Sequence, residues 1–349
     1  MPKTIRPILA VSLAVLGLSG TASASADSGT APQVSAKALS GTPAAPPASP
    51  AGIPSMDPRP DTPTAELAAV KAAYESGDYA LAVKLLRAEA ERGDARAQCG
   101  LGIMYAHGRG VARDDQKAVE WLMKSAAQGN SKAENNLGTL YYSGQGVARS
   151  YEEAFRWFSE ASRGEGDDWD RAVALTNLGN MYLEGHGTRK DYDRAAAALS
   201  AAADKGNPYA ANRLGYLYER GLGVPKDPKL SAAWYRKAAD QGYTTAECNI
   251  GTMYENGQGV MLDYGEALKY FTHAALKGSA YAQNKLARLY EHGLGTPRDL
   301  VLAYAWYGRA ARRGQESAAE SVKRLQLVLS ASQLDEAAAK LSPEAEAQP

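Results

Sequence analysis

The chain has 349 residues, 45% hydrophobic and 22% charged, an ordinary balance for a protein that folds in water. Its 39 basic and 39 acidic residues cancel, and no basic stripe or polybasic run stands out. That argues against nucleic-acid binding and against a polybasic membrane patch.

The first 26 residues read as a secretory signal peptide. Lys3 and Arg6 precede an apolar run from Ile8 to Leu18, and A-x-A matches follow at Ala22–Ala24 and Ala24–Ala26. As a helix this run would reach about 16 Å, against about 30 Å of hydrocarbon in a bilayer. Cleavage and a periplasmic or secreted destination are therefore expected, with retention as an anchor the alternative. Removing Lys3 and Arg6 leaves 37 basic against 39 acidic residues, a net charge of −2.

Residues 27–63 hold nine prolines among Ala, Ser and Gly. So few apolar side chains cannot offset the chain entropy of ordering, which predicts a disordered linker. Residues 64–93 carry Tyr74, Gly77 and Asp78 but lack five of the loop residues found in the units that follow, and so resemble a plain tetratricopeptide unit.

From 94 to 314 the sequence repeats itself. Leu101–Gly102 recurs as Leu137–Gly138, Leu178–Gly179, Leu214–Gly215, Ile250–Gly251 and Leu286–Ala287, at steps of 36, 41, 36, 36 and 36 residues. The units are 94–129, 130–164, 165–206, 207–242, 243–278 and 279–314. Four residues after each Leu or Ile stands a tyrosine: Tyr105, Tyr141, Tyr182, Tyr218, Tyr254 and Tyr290. A spacing of four puts both side chains on one helical face. A G-x-G follows each tyrosine, its first glycine placed where a helix takes a left-handed C-terminal cap. A nucleotide loop would need a preceding strand, and here helices precede.

A second helix is predicted to start at Asp114, Ser150, Asp191, Asp227, Asp263 and Asp299, residue types that cap helices. Seven residues later comes Trp121, Trp157, Trp234, Tyr270 or Trp306, with Ala198 the exception in repeat three. These aromatics are expected to wedge the two helices of a pair apart. Repeat three also gains six residues before Ala172, an acidic segment expected to form a loop carrying Trp169. Either Trp169 contacts a partner or it fills the space left by Ala198.

The pattern A-x-A-x-x-x-L-G-x-x-Y-x-x-G-x-G-V-x-x-D-(x)6-W-(x)4-A-A-x-x-G resembles the Sel-one-like repeat of the tetratricopeptide superfamily, over about 220 residues. The resemblance implies an all-α, right-handed α-solenoid of stacked antiparallel helix pairs. It also implies a binding scaffold, an adaptor for a protein or peptide partner in envelope assembly, signalling or host contact. One pair cannot cover its own apolar face, so neighbouring pairs must. Residues 315–342 read as capping helices, with an amphipathic Gln315–Leu329 and a capping box at Ser332 and Asp335. Residues 343–349 are expected to be a disordered tail.

Chemistry is sparse. Cys99 and Cys248 occupy equivalent positions four repeats apart and are expected to be free thiols. His107, His186, His273 and His292 show no metal-ligand spacing, and no P-loop, G-x-S-x-G or S-x-x-K occurs. No catalytic residue, metal or cofactor is implied. By the resemblance, the first helix of each unit lines the concave groove. The candidate partner-binding residues there are Asn135, Asn180, Asn212, Asn284, Tyr142, Tyr209, Tyr216, Tyr281, Glu219, Glu255 and Glu291, joined by Trp169. Asparagine can serve both groups of an extended peptide backbone, or instead the ends of neighbouring helices. Glu219, Glu255 and Glu291 read as a charged row on one surface. The groove aromatics keep a peptidoglycan or glycan ligand open as an alternative; a hydrolase is the third reading.

Overall fold

The structure, a computed structural model, describes residues 65–164 and 167–340. The expected signal peptide, linker and terminal tail lie outside them. The described residues form sixteen α-helices and no strand. The first pair is α1 (Ala65–Glu75) and α2 (Tyr79–Glu91). Repeats one to three are α3 (Ala95–His107) with α4 (Asp115–Ala126), α5 (Ser131–Ser143) with α6 (Tyr151–Arg163), and α7 (Asp168–Glu184) with α8 (Tyr192–Asp204). Repeats four to six are α9 (Pro208–Arg220) with α10 (Pro228–Ala239), α11 (Thr244–Asn256) with α12 (Tyr264–Leu276), and α13 (Ala280–His292) with α14 (Leu300–Arg312). Helices α15 (Glu316–Gln326) and α16 (Ala331–Lys340) pack on α14. Residues 65–210 with 222–224 form one compact unit, and residues 211–221 with 225–340 a second. Each is a stack of helix pairs, as the repeat pattern requires.

The turn inside each repeat is closed the same way six times. The first glycine of every G-x-G has a φ between 64° and 74°, the left-handed conformation in which only glycine avoids a Cβ penalty. The chain then doubles back, and the backbone N–H of the capping residue donates to the carbonyl of the repeat tyrosine. Asp114 to Tyr105, Ser150 to Tyr141, Asp191 to Tyr182, Asp227 to Tyr218, Asp263 to Tyr254 and Asp299 to Tyr290 all lie at 2.9–3.1 Å. The same residues' side chains accept from an N–H of the next helix's first turn, as expected of caps.

The second glycine serves a different purpose. In the first unit, a methyl group on Gly110, Gly146, Gly187 or Gly223 would overlap the carbonyl of Tyr79, Asp115, Tyr151 or Tyr192. In the second, Gly259 and Gly295 stand in the same relation to Pro228 and Tyr264. Each partner is the first residue of the preceding pair's second helix, so this contact ties one pair to the next. Its φ is positive at all six positions.

The wedge within a pair sits one residue beyond the expected aromatic. Gly102, Gly138 and Gly179 face Leu122, Phe158 and Leu199, while Gly215 and Gly251 face Tyr235 and Phe271. All five partners are buried, as is Tyr307, which packs in one cluster with Ala287. Trp121, Trp157, Trp234 and Trp306 are instead half-buried. Trp121 and Trp157 pack against clusters that include the preceding pair. A cation from the same helix covers each ring at 4.0–4.7 Å: Lys124, Arg156, Lys237 and Arg309. One helical step of about 100° turns a side chain from the pair's interior to its flank, so spacing alone placed the wedge on the wrong neighbour.

Repeat three departs in a second way. The acidic segment expected to loop out continues α7 instead, beginning at Asp168 with Asp167 as its cap. The other first helices start six residues before their Leu or Ile, and α7 starts ten before Leu178. The gain is one helical turn. Gly164, which closes the preceding repeat, is extended (φ −62°, ψ 165°), whereas Gly129, Gly206, Gly242, Gly278 and Gly314 all have positive φ. At the C-terminal end the capping box is Ser330 with Gln333, not Ser332 with Asp335: Gln333 N–H donates to Ser330 Oγ, and Ser330 N–H to Gln333 Oε1.

Two substitution pairs test this packing by denaturant titration. Gly187→Ala meets both the φ penalty and the Tyr151 carbonyl and is expected to cost about 3 kcal/mol or more. Gly129→Ala has a similar φ with open space around it and should cost about 1–2 kcal/mol. Tyr235→Ala should cost about 3–5 kcal/mol, and Trp234→Ala less, about 1–2 kcal/mol, since its side chain is only partly withdrawn from water. A larger loss at Trp234 than at Tyr235 would reverse the wedge assignment.

Candidate partner-binding face

The first helices place the candidate residues in two groups, one in each unit. In the first unit Asn135 is buried, and its Nδ2 donates to the Asp170 carbonyl at 2.9 Å, serving a neighbouring helix. Asn180, Trp169 and Tyr209 are half-buried. Tyr142 is also half-buried, and its hydroxyl meets His186 Nδ1 at 3.1 Å. His186 stacks on Tyr151 at 4.3 Å, and Tyr142 lies 5.1 Å from the same ring. His186 is the middle residue of a G-x-G, so it bridges to the preceding repeat. Burial, followed by Tyr151 and Glu184, pushes the Tyr142 hydroxyl up to about 12.

In the second unit the acidic row is not a solvated stripe. Glu255 and Glu291 are buried. Glu255 pairs with Lys285 at 2.8 Å and with Arg288, both from the next repeat. Glu291 pairs with Arg324 of α15 and accepts from Tyr307 Oη at 2.9 Å. The Arg324 contact, helped by Tyr307, holds its carboxyl below the usual range against the opposing effect of burial. Glu219, half-buried, accepts from Tyr235 Oη at 2.9 Å. Asn212 is buried, and its Oδ1 accepts from Asn249 Nδ2 at 2.9 Å. These groups join helices. What stays half-exposed is Tyr216, Tyr281 and Asn284, with Arg220 over the Tyr216 ring at 5.7 Å and Lys285 over Tyr281 at 5.5 Å. The sequence held a signal for the clasps: Arg288 and Arg324 each follow their glutamate by 33 residues.

No group of three or more His, Cys, Asp or Glu that could hold a metal ion occurs among the described residues, and no described helix is long and apolar enough to cross a membrane. Both thiols are free and buried, and burial pushes each up to about 12.

Each unit thus repeats one helix pair with one loop geometry and one set of inter-pair contacts. A family model described as Sel1 repeat matches residues 95–130, 131–165, 172–207, 208–243, 244–279 and 280–315. The chain belongs to the Sel1 repeat family. A Sel1 repeat protein from Oxalobacter formigenes is 28% identical with a TM-score of 0.62, covering 70% of this chain and 96% of that one. A protective antigen of uropathogenic Escherichia coli displaying an SLR fold is 25% identical, with a TM-score of 0.32 over 79% and 82% of the two chains. An immunity protein from Pseudomonas aeruginosa is 25% identical, with a TM-score of 0.41 over 63% and 82%. The search of curated proteins finds no match.

The six residues that the Sel1 matches skip, 166–171, include the added turn of α7. Within it, Asp170 is largely buried, and desolvation, opposed by Lys132 and reinforced by Asp167, pushes its carboxyl up to about 6. A raised carboxyl makes the folded state hold its proton more tightly than the unfolded chain does. Stability is therefore lost as pH rises from about 4, the ordinary Asp value, to about 6. Asp170→Asn should raise stability at pH 7.5 by about 1–3 kcal/mol and change it little at pH 4, as read by urea titration at both values. A destabilised variant at pH 7.5 would show that the ionised carboxylate is needed.

Proposed function

We propose that this Sel1 repeat protein is a non-enzymatic scaffold, exported to the periplasm or beyond, that binds a protein or peptide along the first helices of its repeats. The observation that carries this reading is the division of labour in the second unit. The acids of that face are consumed inside the fold, Glu255 together with Lys285, and it is left with tyrosine rings, an asparagine amide and a cation: Tyr216, Tyr281, Asn284 and Arg220. Rings supply contact area at low entropic cost, and the amide can pair with either backbone group of an extended segment. The thiols argue against covalent catalysis, since burial keeps them protonated. The Tyr142–His186 contact has a hydroxyl pushed up by burial, the wrong direction for a nucleophile. The leader motifs of residues 1–26 support export.

The test compares wild type with Tyr216→Ala/Tyr281→Ala in capture from envelope extract and in pelleting with purified peptidoglycan. Saturable capture of a defined protein, weakened about tenfold or more in the variant with the helical circular-dichroism signal retained, is expected. Equal capture by both forms, or saturable pelleting with peptidoglycan in place of protein capture, would overturn the reading. A mature N-terminus at Ser25 or Asp27, found by mass spectrometry of the envelope fraction, would accompany it.

A further inference from the structure

Two positions of each repeat are coupled near the start of its first helix. One stands three residues before the Leu or Ile: Gln98, Glu134, Leu175, Ala211, Glu247 and Gln283. The other stands fourteen residues after the second-helix cap: Gln128, Gly164, Lys205, Gln241, Lys277 and Arg313. In repeats one, five and six the first position is polar, and the second supplies its donor. Gln128 Nε2 donates to Gln98 Oε1 at 2.8 Å, Lys277 Nζ to Glu247 Oε1 at 2.7 Å, and Arg313 to Gln283 Oε1 at 3.4 Å. Gln128 and Lys277 also donate to the carbonyl of the preceding closing glycine, Gly93 or Gly242. Repeats three and four place apolar Leu175 and Ala211 at the first position, and no donor is needed.

Repeat two breaks this rule. Its first position is an acid, Glu134, and its second is Gly164, which carries no side chain. Glu134 is 7% exposed, and its Oε2 is buried without a hydrogen-bond partner, as is Ser131 Oγ. Both atoms face Gly164: a methyl group there would lie 3.7 Å from Glu134 Oε2 and 2.2 Å from Ser131 Oγ. Arg163 does not compensate, being 74% exposed and directed at Glu160 at 3.8 Å. Burial, reinforced by Glu160, pushes the Glu134 carboxyl up. A buried carboxylate without a counter-charge weakens the fold, and a cation that reaches it recovers the loss.

We propose that Glu134 and Ser131 receive a primary ammonium that a ligand brings in past Gly164, the role that Lys277 fills from within the chain in repeat five. The approach is short. Lys277 is 41% exposed while the Glu247 it meets is 4% exposed, so one lysine side chain spans surface to acid, and Gly164 is half-exposed. The repeats also select the ligand's chemistry: the amides Gln98 and Gln283 meet an amide and a guanidinium, and the acid Glu247 meets an ammonium. An ammonium has three donors, and repeat two offers Glu134, Ser131 and the Gly129 carbonyl, the counterpart of Gly93 and Gly242. The group arrives on a free amine or as a lysine of a bound protein, and the second source rests on the scaffold reading above.

The probe is butylammonium, the end of a lysine side chain, added to the full chain against sodium at equal ionic strength. It should raise the melting temperature of wild type by about 2 °C or more. Ser131→Ala/Gly164→Lys supplies the ammonium from within. Its backbone at 164 is extended (φ −62°, ψ 165°), and repeats one and six already carry alanine at Ala95 and Ala280. This variant should melt higher than wild type and ignore the amine. Glu134→Gln should also lose the response, and Lys277→Gly should respond more strongly than wild type. Indifference of wild type to butylammonium, or a shift that persists in Glu134→Gln, would overturn the proposal. Capture from envelope extract assigns the source. About tenfold weaker capture by Ser131→Ala/Gly164→Lys points to a partner's lysine, and unchanged capture to a free amine. Tyr216→Ala/Tyr281→Ala should keep the amine response, so failure of the scaffold reading would leave this site standing.

Discussion

The close approach of a glycine to a carbonyl governs how this chain stacks. At Gly187 the backbone is left-handed and runs directly over the Tyr151 carbonyl, and the same contact recurs from Gly110 to Gly295. Any side chain there would hold neighbouring pairs apart and open the apolar seams behind them. The other constant features depend on that proximity. The rings of Trp121 and Trp157 reach the preceding clusters only when the pairs sit this close, and so do the clasps of Glu255 and Glu291.

Within a pair the constraint is of another kind. The closing hydrogen bond from each cap to its tyrosine carbonyl fixes the turn, and the helical glycine of the Leu-Gly motif admits the bulk of Leu122, Phe158, Leu199, Tyr235 or Phe271. Small residue on one helix and large on the other is how close-packed interiors avoid voids. The middle residue of G-x-G, which neither contact uses, also varies from repeat to repeat. There Arg109 reaches Tyr74, His186 reaches Tyr151, and Leu294 packs against the same apolar cluster as Tyr264.

Much of this was legible in the residues. The phase of Leu, Tyr, Gly and Asp gave the helix pairs, their caps and their turns, because those features depend on local backbone geometry. What depends on distant packing was harder to read. The wedge position hinged on one step of helical rotation between Trp234 and Tyr235. The glutamate row looked solvent-facing because its partners, Arg288 and Arg324, lie a repeat away. The segment around Trp169 looked like a loop because its Gly and Asp content favours turns, yet Asp167 made it a helix start.

The longer α7 carries one more consequence. A surface made of identical units offers equivalent seats a repeat apart, and an extended ligand could shift by one unit with little change in energy. Four added residues lengthen the helix by about 6 Å while leaving its packed positions in phase, so the added turn with Trp169 stands as a landmark at one level only. A molecule lying along that unit would find a single alignment in place of several, and a periodic surface would acquire an address.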